Sequence, residues 1–309
     1  MRALVTGGAG FIGSHLVEEL VRRGHQVVVL DDLSTDRVEN IEKFLKGANA
    51  ELVRGSVTDF SLVAGLVKDV TCIFHLAALA SVPWSIENPR ACHEININGT
   101  LNILLAAIEK GVRKVVYSSS SAVYGDAPTL PKREEMAPQP LSPYAVAKLA
   151  GEYYCQVFNE VYKLPTVCLR YFNVYGPRQD PNSQYAAAIP SFIQRALAGK
   201  PPIVFGDGEQ TRDFTFANDA VEANILAAES ETSGIFNIGS GQGITINRLV
   251  KLVLELTGSQ VKPVYRKSRV GDVRHSLADI SRAKTFGYEP QYDLKAGLIE
   301  TIEWFKKVK

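Results

Sequence analysis

Three glycines, Gly7, Gly10 and Gly13, stand within TGGAGFIG. They follow directly on a short apolar run, Ala3 to Thr6, and open a helical pattern from Phe11 to Arg23. A strand ending in such a cluster must turn tightly into a helix. Residues without a Cβ let that turn close and let backbone N–H groups at the helix N-terminus face an anion. The same spacing also serves a tight turn with no ligand, so the next unit decides. A second strand pattern, Gln26 to Asp31, ends in an acid eighteen residues after Gly13. That is close to the offset, about 20 residues, at which a carboxylate accepts hydrogen bonds from an adenosine ribose. A 2′-phosphate would be repelled there. Asp31 and Asp32 therefore point to NAD rather than NADP, the plainer alternative being a solvated Asp-Asp turn.

Apolar, β-branched runs go on alternating with helical patterns. A helix is expected over Arg37 to Lys46, with strands at Glu51 to Arg54, Cys72 to Leu76, Lys114 to Ser119 and Thr166 to Phe172. Several are nearly all apolar, as strands covered on both faces should be. The fold class read from this is α/β: a Rossmann-type doubly wound parallel sheet over residues 1–173, with its ligand beyond the carboxyl ends of the strands. After about Asn173 the rhythm changes to a proline-rich and polar stretch, YGPRQDPNSQY, and a helix near Ile189 to Ala198. KPPIVFGDGEQTRDFTF then reads as two short strands around a turn. These begin a smaller C-terminal α/β substrate lobe over 174–309, with part of 213–240 expected to return to the first domain. Its other expected elements are helices near Asp219 to Glu229, Ile246 to Leu256, Ile280 to Phe286 and Leu294 to Lys306, and a strand at Ile235 to Ile238.

Composition narrows the partners. Lys and Arg number 34 against 33 Asp and Glu, so no global field draws the chain to nucleic acid or an anionic membrane. A phosphate-bearing ligand then needs a local site. Cys72, Cys92, Cys155 and Cys168 are scattered, with no His cluster at ligand spacing, so neither a metal site nor a disulfide framework is expected. In MRALVTGGAGFIG glycines interrupt the apolar run, which reads as neither a signal peptide nor a spanning helix, and the expected location is cytoplasmic.

Tyr144 and Lys148, in SPYAVAKLAGEYY, lie four apart on a helix whose first turn suits Pro143, so both project from one face. An ammonium near a phenol favours the phenolate and brings its pKa down from about 10 toward neutrality. Such a pair also arises by chance on any amphipathic helix. The strand Lys114 to Ser119, however, runs into SSSSAVYG and sets hydroxyls at a strand's carboxyl end. There Ser120 can bond a substrate hydroxyl and help pass its proton to Tyr144, although serine runs are also ordinary in loops.

TGGAGFIG, HLAALASV, NINGTLNIL, YSSSSAVYG, SPYAVAKL and LRYFNVYGPRQDP together resemble the extended short-chain dehydrogenase/reductase family. GDGEQTRDFTF and RVGDVRHSLADISRA resemble its nucleotide-sugar branch, above all the UDP-hexose 4-epimerases. The resemblance implies that Gly7, Gly10, Phe11, Ile12 and Gly13 hold the NAD pyrophosphate. It implies Asp31, with Asp32 and Ser34, for the adenosine ribose, and Ser56, Val57, Leu76, Ala77, Ala78, Asn96 and Ser118 along the cofactor channel. Ser120, Tyr144 and Lys148 match the catalytic set. Lys148 would also bond the nicotinamide ribose, and Tyr171 and Phe172 would fix which nicotinamide face meets the sugar. Besides Ser120 and Tyr144, the implied substrate residues are Asn173, Ala188, Ile189, Val204, Phe205, Arg212, Arg269, Asp272 and Ser276, the guanidinium groups suiting a diphosphate. One position departs: members often carry an Asp after the third strand, facing the adenine, where RGSVTD has Ser56. That bears only on the strength of cofactor binding.

Nucleotide-sugar 4,6-dehydratases and UDP-glucuronate decarboxylases resemble the chain in the same two motifs but place an acid just after the strand-end Ser or Thr. Dehydration needs it to protonate a leaving hydroxyl. Ser121 and Ala122 hold those positions here. The resemblance therefore implies reversible inversion at C4 of UDP-glucose and UDP-galactose through a 4-keto sugar, with NAD kept as a prosthetic group. Ser276 stands four positions after Asp272, where a bulky tyrosine is associated with rejection of a 2-acetamido group. UDP-GlcNAc and UDP-GalNAc are thus expected to fit, unless the serine serves only a turn. The alternative enzyme is a UDP-glucuronate 4-epimerase, with Arg178 facing the carboxylate, or else merely solvent or phosphate. The alternative outside enzymes is a catalytically silent NAD-binding regulator, which has no need of Ser120, Tyr144 and Lys148 together. A homodimer built on the helix Asn98 to Lys110 and the Tyr144 helix completes what the resemblance implies.

Overall fold

Seven parallel strands carry the fold in the computed structural model, which describes residues 1–35, 37–181, 187–268 and 273–308. Six come early: β1 (Arg2–Thr6), β2 (Gln26–Asp31), β3 (Ala50–Arg54), β4 (Cys72–His75), β5 (Lys114–Ser120) and β6 (Thr166–Tyr171). Their order is β3-β2-β1-β4-β5-β6, and a late strand, Gly234–Ile238, pairs beyond β6. β1 meets β2 on one side and β4 on the other, so connections diverge there, which is where such sheets bind ligands. β4 and β6 are buried along their whole lengths, as strands covered on both faces are.

Both faces of the sheet are covered. The helices Phe11–Arg22 and Ala217–Glu229 lie on one, over a core including Leu16, Leu20, Val29 and Phe74. The helices Gly99–Glu109 and Pro143–Val161 lie on the other, over Ile73, Leu104, Tyr117 and Phe158. Each fully buried leucine among these stabilises the fold by about 1.5–3 kcal/mol. The helix expected over Arg37 to Lys46 is broken into a 3-10 turn, Val38–Asn40, and one α turn, Glu42–Leu45. Between them Ile41 has no exposed surface and a φ of −121°. Burying that side chain outweighs a helical preference that no side-chain cap supports.

The strands that follow β6 pair with distant segments. β7 (Val174–Tyr175), β8 (Ile203–Phe205), β9 (Thr211–Asp213) and β10 (Thr215–Phe216) precede β11, the Gly234–Ile238 strand of the main sheet. β12 (Gly243–Thr245) and β13 (Val264–Arg266) follow it. β7 pairs with β10, β9 with β12 and β8 with β13, so the two strands expected around a turn in KPPIVFGDGEQTRDFTF do not pair with each other. Gly206 and Gly208, at φ +79° and +78°, turn the chain from β8 toward a different partner for β9. The helix expected over Ile280 to Phe286 shrinks to Ser281–Lys284. Asp213, with no exposed surface, ties β9 to the segments after β11: its carboxylate accepts N–H groups of Ser240 at 2.7 Å and of Gly241 and Ala278 at 3.1 Å.

Candidate active site

After β1 the chain turns through Gly7, at φ +68°, into the helix Phe11–Arg22. A Cβ on Gly7 would lie 2.8 Å from the Ala77 nitrogen, and one on Gly13 would lie 2.0 Å from the Gly7 carbonyl oxygen. Both are closer than real contacts, so the turn accepts only glycine at these positions. Gly10 has no side chain to cap the helix and the first turn holds no acid, which leaves its N-terminus suited to an anion. Beside it Asp31, 5% exposed at the end of β2, accepts the Ala9 and Leu33 N–H groups, each at 2.9 Å. Burial pushes this carboxyl above its ordinary range while the two donors oppose the shift. Each oxygen retains capacity for a further donor. Asp32 is exposed, with its Oδ1 accepting the Ser34 N–H at 2.9 Å. A cradle closed to any Cβ, an uncapped helix N-terminus and a carboxylate at the strand end fit the pyrophosphate and ribose of NAD.

Other expected channel residues serve the backbone. Ser56 Oγ lies 2.9 Å from Thr58 Oγ1 and accepts the Thr58 N–H at 3.2 Å, while Val57 is buried under Gly99. Ala77, between the partly buried Leu76 and Ala78, donates to Thr6 Oγ1 at 3.2 Å. Asn96 commits its amide to Leu79, accepting the N–H at 2.7 Å and donating to the carbonyl at 3.1 Å. Tyr171 is buried with its hydroxyl 3.1 Å from Ser118 Oγ and 2.7 Å from Asn224 Nδ2, and burial pushes it up to about 12. Phe172 has no exposed surface and packs with Val123, Tyr124 and Ala278.

The catalytic candidates meet at the end of β5. The helix Pro143–Val161 starts at Ser142, whose hydroxyl accepts the Ala145 N–H at 3.2 Å. Tyr144, Lys148 and Glu152 follow at four-residue steps and so share one face. Lys148, 3% exposed, donates to the Ser118 carbonyl at 2.7 Å, and burial pushes it down to about 8. Burial raises the Tyr144 phenol above its ordinary value, although a hydrogen bond with Ser120 favours ionisation. The expectation that Lys148 brings this phenol toward neutrality is thus corrected for the chain by itself. The ammonium lies 5.9 Å from the centre of the Tyr144 ring, and burial disfavours the charged form of each group.

A network behind this set escaped the sequence reading. Ser119, whose side chain points away from those of Ser118 and Ser120, donates to Glu152 at 2.5 Å. Arg170 of β6 donates to the same carboxylate through Nε at 2.8 Å and Nη2 at 2.7 Å. Neither side chain is more than 2% exposed. Arg170 also lies 4.6 Å over the Tyr124 ring, whose hydroxyl donates to Asn237 at 2.7 Å. The available signals were an arginine inside the run TVCLRY and an acid four residues after Lys148.

A cavity of about 220 Å³ opens beside β7 and is walled by Asn173, Ala188, Ile189, Phe205 and Arg212, together with the unpredicted Gln210 and Phe214. Val204 is instead buried in a core with Phe192, Leu249 and Leu298. Ser276, 8% exposed, donates its N–H to the Thr211 carbonyl at 3.1 Å. Arg269 and Asp272 lie outside the described residues. Arg178 turns to the helix Phe11–Arg22, where it pairs with Glu18. Among the described residues no group of three His, Cys, Asp or Glu side chains could hold a metal ion, and no helix is long and apolar enough to cross a membrane.

The NAD dependent epimerase/dehydratase family matches residues 3–239. The chain is 40% identical over 311 residues to the UDP-glucose 4-epimerase of Mycolicibacterium smegmatis, with 99% of each covered. Among solved structures it is similar to the UDP-N-acetylglucosamine 4-epimerase from Methanobrevibacter ruminantium in complex with UDP-N-acetylmuramic acid. That match has a TM-score of 0.97 and 42% identity, covering 100% of this chain and 99% of the other. The Thermus thermophilus UDP-glucose 4-epimerase in complex with NAD matches with a TM-score of 0.91 and 37% identity over 100% of both chains.

Proposed function

Because the chain belongs to the NAD dependent epimerase/dehydratase family, we propose that it is a UDP-hexose 4-epimerase. Its substrates in this reading are UDP-glucose and UDP-galactose and, beside them, UDP-GlcNAc and UDP-GalNAc. NAD is its cofactor. One observation carries the reading: Ser120, Tyr144 and Lys148 converge at a strand end where positions 121 and 122 hold serine and alanine instead of an acid.

Bound NAD supplies the reversible acceptor for the C4 hydride. The chain handles the proton and the orientation. Tyr144 takes the 4-hydroxyl proton with the help of Ser120, and gives it back once the 4-keto sugar has presented its opposite face. Lys148, held by the Ser118 carbonyl, sets a positive charge near the developing phenolate. With recognition energy on the nucleotide, in the cavity walled by Asn173, Phe205 and Arg212, the hexose is left able to turn about its phosphate linkage. Elimination would need a carboxylate at 121 or 122, whereas inversion needs none.

The engagement of Arg178 with Glu18 supports neutral hexoses over UDP-glucuronate. The small Ser276 supports room for a 2-acetamido group. We also read the chain as a homodimer: Val146, Tyr153, Val157 and Val161 form an exposed apolar stripe along the Tyr144 helix, with Leu105 exposed on the helix Gly99–Glu109. Four free, buried thiols support a reducing, cytoplasmic setting. Incubation with UDP-glucose, UDP-GlcNAc and UDP-glucuronate in turn, with the products resolved by chromatography, tests the substrate reading. The 4-epimers of the first two are expected, with UDP-glucuronate unchanged. If no sugar is converted the epimerase reading fails, and conversion of UDP-glucuronate alone removes the neutral hexoses.

A further inference from the structure

His75 ends β4 and takes no part in the proton transfer described above, yet both of its ring nitrogens are committed. Nδ1 lies 2.8 Å from Thr6 Oγ1, and Nε2 lies 3.0 Å from Thr100 Oγ1. All three residues are at most 1% exposed. The hydroxyl hydrogens fix the direction of these bonds. Thr100 spends its single hydrogen on the Asn96 carbonyl at 2.7 Å, so its oxygen accepts from His75 and Nε2 carries the ring proton. Burial pushes His75 down to about 3, which leaves the ring neutral and Nδ1 a bare acceptor. Thr6 then donates to Nδ1 while its oxygen accepts the Ala77 N–H at 3.2 Å. The opposite tautomer would leave the Thr6 hydrogen without an acceptor among the described residues.

Both arms of the ring end on one short segment. Through Thr6, the residue just before Gly7, the first arm reaches Ala77, whose nitrogen lies 2.8 Å from where a Cβ on Gly7 would stand. Through Thr100 the second reaches Asn96, whose side chain accepts the Leu79 N–H and donates to the Leu79 carbonyl. Backbone N–H groups bind an anion well only where their spacing is fixed beforehand, and a segment free to drift from Gly7 would open the glycine cradle. We propose that His75 is a positioning residue for the cofactor: with an acceptor on one side and a donor on the other, it holds the backbone of residues 77–79 against Gly7 and so sets how long NAD stays bound. The inference rests on NAD as the cofactor and not on which sugar is turned over.

Thr100→Val keeps the shape of the side chain and removes the hydroxyl, whereas Thr100→Ser restores it. Each protein is loaded with radiolabelled NAD and chased with excess unlabelled NAD, well below its unfolding transition. Thr100→Val should release NAD about 10-fold faster than wild type, the change expected when a buried hydrogen bond is lost, and Thr100→Ser should stay within about threefold. Leu298→Ala, which lowers Tm through a core that these bonds do not enter, should also stay within about threefold. A folded Thr100→Val protein that releases NAD at the wild-type rate overturns the inference, and so does equally fast release by Leu298→Ala. Wild type supplies a check that needs no variant: nitrogen-15 NMR of the NAD-loaded, histidine-labelled protein should show His75 as the neutral Nε2–H tautomer. A proton on Nδ1 instead would refute the directed line of bonds and the proposal with it.

Discussion

Replacing Arg170 by methionine tests what the buried pair behind the active site contributes. Arg170 and Glu152 are 2% and 0% exposed, and their two hydrogen bonds measure 2.7 and 2.8 Å. Arg170→Met leaves the Glu152 carboxylate in the interior with Ser119 as its remaining side-chain donor. Removing one partner of a buried pair costs about 3–5 kcal/mol. At about 2.1 cal/mol/K per residue, a chain of 309 residues has an unfolding entropy near 0.65 kcal/mol/K, so Tm should fall by roughly 5–8 °C. The double variant Glu152→Leu/Arg170→Met leaves neither charge alone and should regain most of the loss. Thermal and urea unfolding of the NAD-loaded protein, followed by circular dichroism and assembled into a double-mutant cycle, measures both effects. If Arg170→Met unfolds within about 0.5 kcal/mol of wild type, or the cycle is additive, the pair does not clamp the Tyr144 helix to β5 and β6.

Tyr144→Phe keeps the ring and removes the proton acceptor, so turnover should fall about 100- to 10,000-fold with fold and NAD binding retained. Steady-state rates near wild type would remove Tyr144 as the base. Asp31→Ala should relax a preference for NAD over NADP, read by titrating both cofactors, and equal wild-type affinities would overturn the ribose assignment. Ser276→Tyr should cut catalytic efficiency on UDP-GlcNAc while sparing UDP-glucose, and an unchanged ratio would dispose of the gate. Burial, reinforced by Arg178, pushes His15 down from 6.5 to about 4, so the unfolded chain takes up a proton first as pH falls. Stability should therefore drop between about pH 6.5 and 4, with His75, pushed down to about 3 by burial, adding to the same slope. His15→Gln should flatten part of the profile of urea midpoints, and an identical slope would rule His15 out as a source.

The central strands are legible because the sheet is covered on both faces, which leaves Val27 to Leu30 and Cys72 to Phe74 as unbroken apolar runs. The cofactor end is legible for a steric reason: the approach of Gly7 to Ala77, and of Gly13 to Gly7, leaves no room for a side chain. The strands after Asn173 offer neither signal. β7 and β10 have two residues each and β9 three, too few for a period, and their partners lie up to dozens of positions away. Gln210 was passed over because an amide in a turn-rich stretch looks solvated until the Phe205 carbonyl is seen to hold it inward.

Spacing tells which side chains meet, whereas the surroundings tell what charge they carry. Tyr144 and Lys148 share a helical face because they are four apart, and that much was readable. The direction of their pKa shifts was not, since burial acts on each charged form separately and moves the phenol up and the ammonium down. Glu152 joins the two kinds of information. It lies one further turn along the same face, so its approach to β5 follows from spacing alone. Its charge is tolerable only because Arg170 arrives opposite it from β6. An arginine inside an otherwise buried strand requires a partner of opposite sign, so TVCLRY already implied an acid within reach. Which acid it would be was decided by the packing of Pro143–Val161 against β5 and β6, which brings Glu152 and Arg170 together across that seam.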